Sequence, residues 1–319
     1  MDALMLSRHD KTHFFKYVDT SAAKQILKSR KLQWKEPGLF NDPFDHNTGF
    51  KYQFNKEDML AELSNTFDRI MFGETGCHFK VRTNLGSMLQ EMRQKLVQVR
   101  SKLPAEEIKK FRTKVIEAVL SSQDKLPFLE NQSTFRRFAL AFINQSRTIC
   151  FSEIKDNIVM WSHYADQHRG AVLGLKCMKE IDDNFLIAMP VKYSKEFPPF
   201  TPLDRWVREM TGEEEPDFKR LYFPLIFTKH IDWAYEKEWR ISLPLQPNEK
   251  NSRGIYLEHK NAEVFDSVYL GCRMSVIDKD EIIAIAKATN PKVSIYQGRM
   301  SDCEFNLEFE KMDGDPSIT

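Results

Sequence analysis

Strand-like segments flank a long helical block, and this arrangement constrains the fold more than any other feature of the chain. Strand patterns occur at residues 13–18, 148–151 and 170–175. Between the first two of these, residues 56–142 place apolar side chains at helical spacing. Strands and helices therefore do not alternate as they do in a parallel βαβ sheet. The sequence predicts an α+β fold, with one domain over residues 1–319 and a large helical insertion at 56–142.

Shorter patterns complete the predicted element list. Further strands are predicted at 32–34, 190–193, 231–243, 254–257, 265–270 and 293–296, and helices at 22–30, 157–165 and 278–288. Thr20 or Ser21 is expected to cap the first helix, because hydroxyl side chains accept hydrogen bonds from free amides there. Residues 193–215 are rich in proline and charge and predict a loop with a helical turn.

Composition excludes several classes of protein. A net charge of +1 and a hydrophobic content of 41% are typical of a globular protein and exclude a globally basic nucleic-acid binder. No uncharged stretch reaches the ~18 residues that a membrane helix needs, and the N-terminus lacks the apolar run of a signal peptide. No glycine-rich loop of the Rossmann or P-loop type occurs. A cytoplasmic protein with no membrane partner is expected.

Residues 233–240, WAYEKEWR, place two carboxylates two residues apart in a strand-like run. Because side chains alternate along a strand, Glu236, Glu238 and Arg240 are predicted to share one face. The opposite face would carry the apolar side chains Ile231, Trp233, Tyr235, Trp239 and Ile241. Paired carboxylates can hold a sugar hydroxyl and stabilise positive charge at an anomeric carbon. The alternative interpretation is a solvated strand face with a Glu–Arg ion pair.

Residues 150–170 form a second polar cluster, in which a strand, a turn and a helix could build a pocket wall. One alternative is nucleophilic catalysis by Cys150 or Ser152 with His163 as the base. His163 could equally be a structural histidine. A further alternative is a metal site. Its ligands would be His163, Asp166 and His168, with Asp42, Asp45 or His46 added from another loop.

The segment FNDPFD at residues 40–45 predicts a tight turn at Asn41-Asp42-Pro43 that two phenylalanines hold in place. Such a turn is either structural or part of a ligand site, and in the second case Asn41 is the candidate contact.

Residues 80–114 contain ten basic residues and three acidic ones. This bias could follow a nucleic-acid phosphate backbone, although charged runs on helices are usually solvated faces.

Five sequence segments, taken in order, resemble a bacterial family that is catalogued as a domain of unknown function. They read HFFKYVDTSAAKQIL, FNDPFD, CFSE, MWSHYADQHRG and WAYEKEWR. That family is similar in organisation to ADP-ribosyltransferases, and some relatives are implicated as toxins in bacterial defence against phage. The resemblance implies a split β-sheet core, NAD as co-substrate and no metal ion.

The resemblance also implies roles for individual residues. Tyr17, or its neighbour Lys16, takes the position at which the transferase fold holds NAD on its first strand. His, Arg or Tyr usually serves there, so Tyr17 is the better candidate and is implied to belong to the catalytic set. Glu236-Lys237-Glu238 resembles the E-x-E element, whose second glutamate is essential, so Glu238 is implied to be catalytic. Glu236 is then implied to assist the acceptor. The cluster from Ser152 to Tyr164 is implied to form the nicotinamide pocket wall, and its candidate contacts are Ser152, Ser162, His163 and Tyr164.

The expected function is therefore NAD-dependent transfer of ADP-ribose to a macromolecule by a toxin, with nucleic acid, RNA in particular, expected before protein. A neutralising antitoxin protein is the partner that such a toxin implies. One alternative is a metal-dependent, nuclease-like hydrolase that uses the Asp, Glu and His clusters. The other is a binding module without catalysis, in which Glu236, Glu238 and Arg240 form a structural ion pair.

Overall fold

The chain divides into two compact units. The first comprises Met1–His46, Phe142–Lys195 and Phe227–Thr319, and the second comprises Asn47–Ala141 and Glu196–Ile226. This computed structural model describes residues 9–46, 49–73, 78–100, 102–121, 141, 143–181, 184–245 and 253–312. Residues 122–140 of the predicted insertion lie outside the described residues.

The elements confirm a mixed α+β architecture. The strands are β1 (His13–Val18), β2 (Lys31–Lys35), β3 (Ser146–Ser152), β4 (Ala171–Lys176), β5 (Met189–Pro190), β6 (Lys192–Ser194), β7 (Thr228–His230), β8 (Glu238–Pro244), β9 (Gly254–Glu258), β10 (Phe265–Leu270), β11 (Ser294–Met300) and β12 (Leu307–Lys311). The α-helices are α1 (Thr20–Ser29), α2 (Lys56–Phe72), α3 (Asn84–Arg100), α4 (Ala105–Ser121), α5 (Ile158–Tyr164), α6 (Leu203–Thr211), α7 (Phe218–Phe227) and α8 (Val276–Thr289).

The first unit is built on a mixed sheet whose main path runs β12-β11-β10-β4-β1-β3-β2-β9 among the described strands. β8 pairs with β3 along its whole length and so occupies one edge of that strand. β1 and β2 must therefore share the other edge. β1 meets it at one residue pair, Phe15 with Ser152, and β2 at one pair, Lys35 with Thr148. Between these two pairs β1 and β2 diverge and leave a gap along β3, which we call the notch.

Apolar side chains cover both faces of the central strands. Val172 and Leu173 are adjacent on β4, yet they belong to two different hydrophobic clusters on opposite sides of the sheet. One cluster packs beneath α1 and α8 around Phe14, and the other lies beneath α5 around Trp161. Burial on both faces explains why β4 is an almost continuous apolar run in the sequence.

Asp19 caps α1, so the prediction that Thr20 or Ser21 does so is wrong by one or two residues. The Asp19 carboxylate accepts a hydrogen bond from the amide of Ala22 at 2.7 Å. An aspartate is as good an N-cap as a serine, and its extended backbone lets the helix begin at Thr20.

Replacing Asp19 with alanine is expected to lower the free energy of unfolding by about 1 kcal/mol, because the Ala22 amide loses its partner. Urea denaturation followed by circular dichroism measures this change. The exposed Asp10 gives a matched control, for which Asp10→Ala should leave the denaturation midpoint unchanged. Equal midpoints for the two variants would contradict the cap.

The second unit is mainly helical in the described residues. Helices α2, α3 and α4 confirm the helical prediction for their parts of residues 56–142. The amide and side chain of Asn55 exchange hydrogen bonds with Asp58 at the start of α2, and this reciprocal cap fixes where the helix begins. The predicted loop at 193–215 contains the nine-residue helix α6, so that prediction understated the helix. Among the described residues, no helix has the length and apolar character needed to cross a bilayer.

Candidate functional site

A cavity of about 520 Å³ lies within the first unit, at the notch. Its walls come from β1, β2 and β3, from the turn after β2, from α5 and from the segment between β7 and β8. A volume of this size is typical of a small-molecule site. The gap between β1 and β2 thus forms part of a cavity within the first unit.

The chain bends between the two glutamates of WAYEKEWR, so the predicted strand at 231–243 is wrong in its first half. Ile231–Glu236 form a 3₁₀-helix, and β8 begins at Glu238. Lys237 between them has φ of 43°, in the left-handed region. The Ser152 hydroxyl donates to the carbonyl oxygen of Glu236 at 2.6 Å, and this contact from β3 holds the bend.

Lys229 bridges the carboxylates of Glu236 and Glu238, which lie on either side of this bend. Its Nζ lies 2.6 Å from Oε2 of Glu236 and 3.1 Å from Oε2 of Glu238. All three side chains are buried. One ammonium group therefore joins two glutamates that are not on the same strand, and both glutamates line the cavity.

Arg240 fixes Glu238 from the opposite side. The guanidinium donates to both oxygens of Glu238, at 2.7 and 2.9 Å, and to both oxygens of Asp45, at 2.8 and 2.7 Å. The Arg240 side chain is completely buried. His46 lies 2.9 Å from Asp45, and its ring stacks on Phe40. Planar two-pronged contacts of this kind orient a carboxylate more tightly than a lysine does.

The two glutamates have opposite pKa shifts. Burial alone would raise the pKa of Glu238, but the charges of Arg240 and Lys229 lower it to about 2. Burial, together with the neighbouring Glu238, raises the pKa of Glu236 above its ordinary value. Paired carboxylates with diverging pKa values are typical of acid–base sites.

The network carries a surplus of negative charge. Among its described side chains, the three carboxylates of Asp45, Glu236 and Glu238 face two cations, Lys229 and Arg240. Burial and the nearby Arg240 lower the pKa of His46, so its ring adds no positive charge at neutral pH. This part of the cavity wall therefore favours a cationic ligand or a cationic transition state.

Tyr164 holds the second oxygen of Glu236. Its hydroxyl donates to Oε1 of Glu236 at 2.6 Å, and Asn41 contacts the same hydroxyl. Burial and the charge of Glu236 raise the pKa of Tyr164, so the phenol keeps its proton. Asn41 and Tyr164, both predicted from the sequence as contacts, line the cavity together.

Four of the five remaining predicted contacts line the cavity, namely Lys16, Tyr17, Ser152 and His163. The Tyr17 hydroxyl donates to the carbonyl of Ile154 at 3.1 Å, and burial raises its pKa.

Ser162 is not among the cavity-lining residues. Its hydroxyl donates to the carbonyl of Ile158 one turn earlier in α5 and lies 3.1 Å from Nε2 of His168.

The structure does not bring together the alternative metal ligands. Asp166 pairs with Arg169, and His168 contacts Ser162. Residues 166–168 have three consecutive positive φ angles. Asp45 is taken by Arg240. Within the described ranges, no group of three His, Cys, Asp or Glu side chains is placed to hold a metal ion.

The alternative nucleophiles contact other groups. Burial raises the pKa of Cys150 well above its ordinary value, which keeps the thiol protonated. The hydroxyl of Ser152 donates to Glu236, and His163 lies 3.4 Å from the hydroxyl of Tyr235.

Comparison with known proteins gives one match. A family model described as a protein of unknown function, DUF2971, matches residues 160–241. The matched segment contains Tyr164, Lys229, Glu236, Glu238 and Arg240, and hence most of the charged network. The chain is thus similar over this segment to a domain-of-unknown-function family. No curated protein and no solved structure matches the chain.

Proposed function

We propose that this protein is an NAD-dependent ADP-ribosyltransferase that acts as a toxin on a macromolecule, with nucleic acid, RNA in particular, preferred to protein. The observation that carries the proposal is the pair Glu236 and Glu238. Both are buried in the wall of one cavity, Lys229 bridges them, and their pKa values shift in opposite directions. A further support is the position of the cavity at a split in the sheet.

The proposed reaction exchanges one bond for another at the ribose. The bond between C1′ of the ribose and the nicotinamide nitrogen breaks, and its electron pair leaves with the neutral nicotinamide. A nucleophilic atom of the acceptor forms a new bond to C1′ and releases its proton to a base. Positive charge develops on the ribose between these events, so a fixed carboxylate lowers the barrier.

Glu238 suits the stabilising role. It stays ionised across the physiological pH range, because Arg240 and Lys229 hold its pKa at about 2. Its orientation is fixed by the two-pronged contact with Arg240, so little reorganisation accompanies the reaction. In the proposal its carboxylate faces the ribose.

Glu236 suits the role of proton acceptor. A raised pKa makes its carboxylate a better base than an ordinary glutamate. Tyr164 and Lys229 each hold one of its oxygens, which orients the group without protonating it. In the proposal His163, Tyr164, Asn41 and Ser152 surround the nicotinamide end of NAD. Lys16 and Tyr17 contact NAD from β1.

The acceptor and the partner are inferred from the sequence. The ten basic residues between residues 80 and 114 support a nucleic-acid acceptor. A toxin of this kind requires a neutralising antitoxin protein in the cell that makes it.

Nicotinamide release from NAD tests the proposal. Purified wild-type protein is incubated with labelled NAD and, in separate reactions, with bulk RNA, DNA and cell protein. Release that depends on the protein, with label entering the RNA pool, is the expected result. Absence of release with every pool, from protein shown to be folded by circular dichroism, would overturn the proposal. Loss of activity with a chelator and no need for NAD would favour the hydrolase instead.

The pH profile of nicotinamide release gives a second test. Transfer requires ionised Glu236, so the rate should fall as pH decreases through the raised pKa of that group. The bond from Tyr164 lowers that pKa, so Tyr164→Phe should move the acid limb of the profile to higher pH. Tyr235→Phe is the control, because its hydroxyl contacts His163 and not Glu236. Identical acid limbs in the two variants would contradict the role of Glu236.

A further inference from the structure

Two lysines line the cavity from opposite sides of the notch. Lys16 lies on β1, which pairs with Ser152 of β3 through its neighbour Phe15. Lys35 lies at the end of β2, where it pairs with Thr148 of β3. Each of these two strands thus contributes one lysine to the cavity wall.

Lys16 is held in place inside the notch. Its Nζ donates to the carbonyl oxygen of Cys150 at 2.8 Å, in the part of β3 that lies between the two residue pairs. Burial and the nearby charge of Lys35 lower the pKa of Lys16. The charge of Lys35 therefore acts on Lys16, and an anion bound near both ammonium groups would reduce their repulsion.

The charge of Glu238 acts on Lys16, but at a longer range than an ion pair. Among the residues that the structure describes, no carboxylate lies within ion-pair distance of Lys16 or Lys35. Of the carboxylates that line the same cavity, Asp45, Glu236 and Glu238 are bound by Lys229 or Arg240, and Asp19 caps α1. The cavity wall therefore presents both carboxylates and the ammonium groups of Lys16 and Lys35.

We infer that the notch binds the pyrophosphate group of a dinucleotide, with Lys35 and Lys16 as its two cationic contacts. Lys35 lies on β2, and no feature of the sequence indicates that this strand binds a ligand. The identity of the dinucleotide as NAD rests on the proposed function. NAD carries a cationic nicotinamide ring and an anionic pyrophosphate, and the cavity wall offers carboxylates to the first and ammonium groups to the second. The binding of a diphosphate at the notch does not itself require catalysis.

Isothermal titration calorimetry with ADP and with adenosine, which lacks the phosphates, tests the inference. The wild-type protein should bind ADP more tightly than adenosine. Lys35→Ala should weaken ADP binding about tenfold, the loss expected for one charge-assisted contact, and leave adenosine binding unchanged. Lys35→Arg should keep most of the ADP affinity, because the charge remains.

Lys31→Ala is the matched control. Lys31 lies on the same face of β2 as Lys35 and is exposed, but it does not line the cavity. Equal affinity of the wild-type protein for ADP and adenosine, or equal ADP affinity of Lys35→Ala and Lys31→Ala, would overturn the inference. A preference for ADP that Lys35→Ala abolishes, in a protein that does not cleave NAD, would support the inference while overturning the transferase. Cleavage of NAD by the wild-type protein, together with an ADP affinity that Lys35→Ala leaves unchanged, would support the transferase while overturning the inference about the notch.

Discussion

Replacing Arg240 with leucine is expected to lower the free energy of unfolding by about 3–5 kcal/mol. The guanidinium is fully buried and neutralises Asp45 and Glu238 through four hydrogen bonds. Without it, two carboxylates would share one buried site, with Lys229 as the remaining cation close to both. Urea denaturation of the variant, followed by circular dichroism, measures the loss.

Arg169→Leu is the control for this experiment. Arg169 forms an exposed ion pair with Asp166, and water screens such pairs so that they contribute little to stability. Similar denaturation midpoints for Arg240→Leu and Arg169→Leu would show that the buried network adds nothing to stability.

The dependence of folding stability on acid pH tests the same network independently. The pKa of Glu238 is about 2 in the folded protein, below its ordinary value of 4.5. The folded state therefore binds fewer protons than the unfolded state between these values, so the stabilisation by Glu238 is complete above pH 4.5 and is lost as pH falls towards 2. Arg240→Leu should remove most of this dependence, because Arg240 is the main group that lowers the pKa. A wild-type stability that does not change over this range would contradict the ion pair.

Glu238→Gln is expected to reduce nicotinamide release by about 100- to 1,000-fold, with or without an acceptor. The amide cannot stabilise the positive charge on the ribose as the carboxylate does. Glu236→Gln should instead reduce transfer to the acceptor by a similar factor while it spares slow hydrolysis of NAD by water. Single-turnover measurement of nicotinamide release, with the acceptor present and absent, separates the two roles.

Glu310→Gln serves as the control, because Glu310 is an exposed glutamate on β12 whose partner is Arg299. Its activity should equal that of the wild-type protein. Denaturation midpoints of Glu236→Gln and Glu238→Gln show whether an activity loss comes from unfolding. Full activity in both glutamine variants would remove the carboxylate pair from the mechanism.

The regular elements were the easiest to predict. The strand at residues 13–18 and the strand at 265–270 have the predicted boundaries, because local apolar patterns define both. Helix α7 was missed, since Pro224 and several aromatic side chains interrupt its helical signal. Strand β12 was also missed, because LEFEK carries charges that suit an edge strand but hide its pattern.

The bend inside WAYEKEWR shows where local reasoning fails. Alternation predicted one strand across both glutamates, but Ser152 of β3 binds the carbonyl of Glu236 and favours a 3₁₀-helix before the bend. Such a contact joins residues far apart in the chain and leaves no periodic signal. Trp239 and Ile241 do point into the core as predicted, because that part of the segment is a strand.

The charged network was partly predicted. Glu236, Glu238 and Tyr164 were recognised from their motifs, and the structure brings them into contact. Lys229 was missed, because one lysine seven residues before a glutamate is not a motif. The fold gives it a role by placing its ammonium between two carboxylates.

The notch leaves few backbone contacts between β3 and its neighbours β1 and β2. Full ladders bind β3 to β8 and β1 to β4, but one residue pair joins β1 to β3 and one joins β2 to β3. Separating β3 from β1 and β2 breaks few backbone hydrogen bonds, so slow opening motions of the first unit should concentrate at the notch. Once the bond from Lys16 to Cys150 is released, β1 and β2 can move away from β3 while the ladder between β3 and β8, which carries Glu238, stays intact. Entry of a long, flexible ligand is therefore compatible with a rigid arrangement of carboxylates at its reactive end.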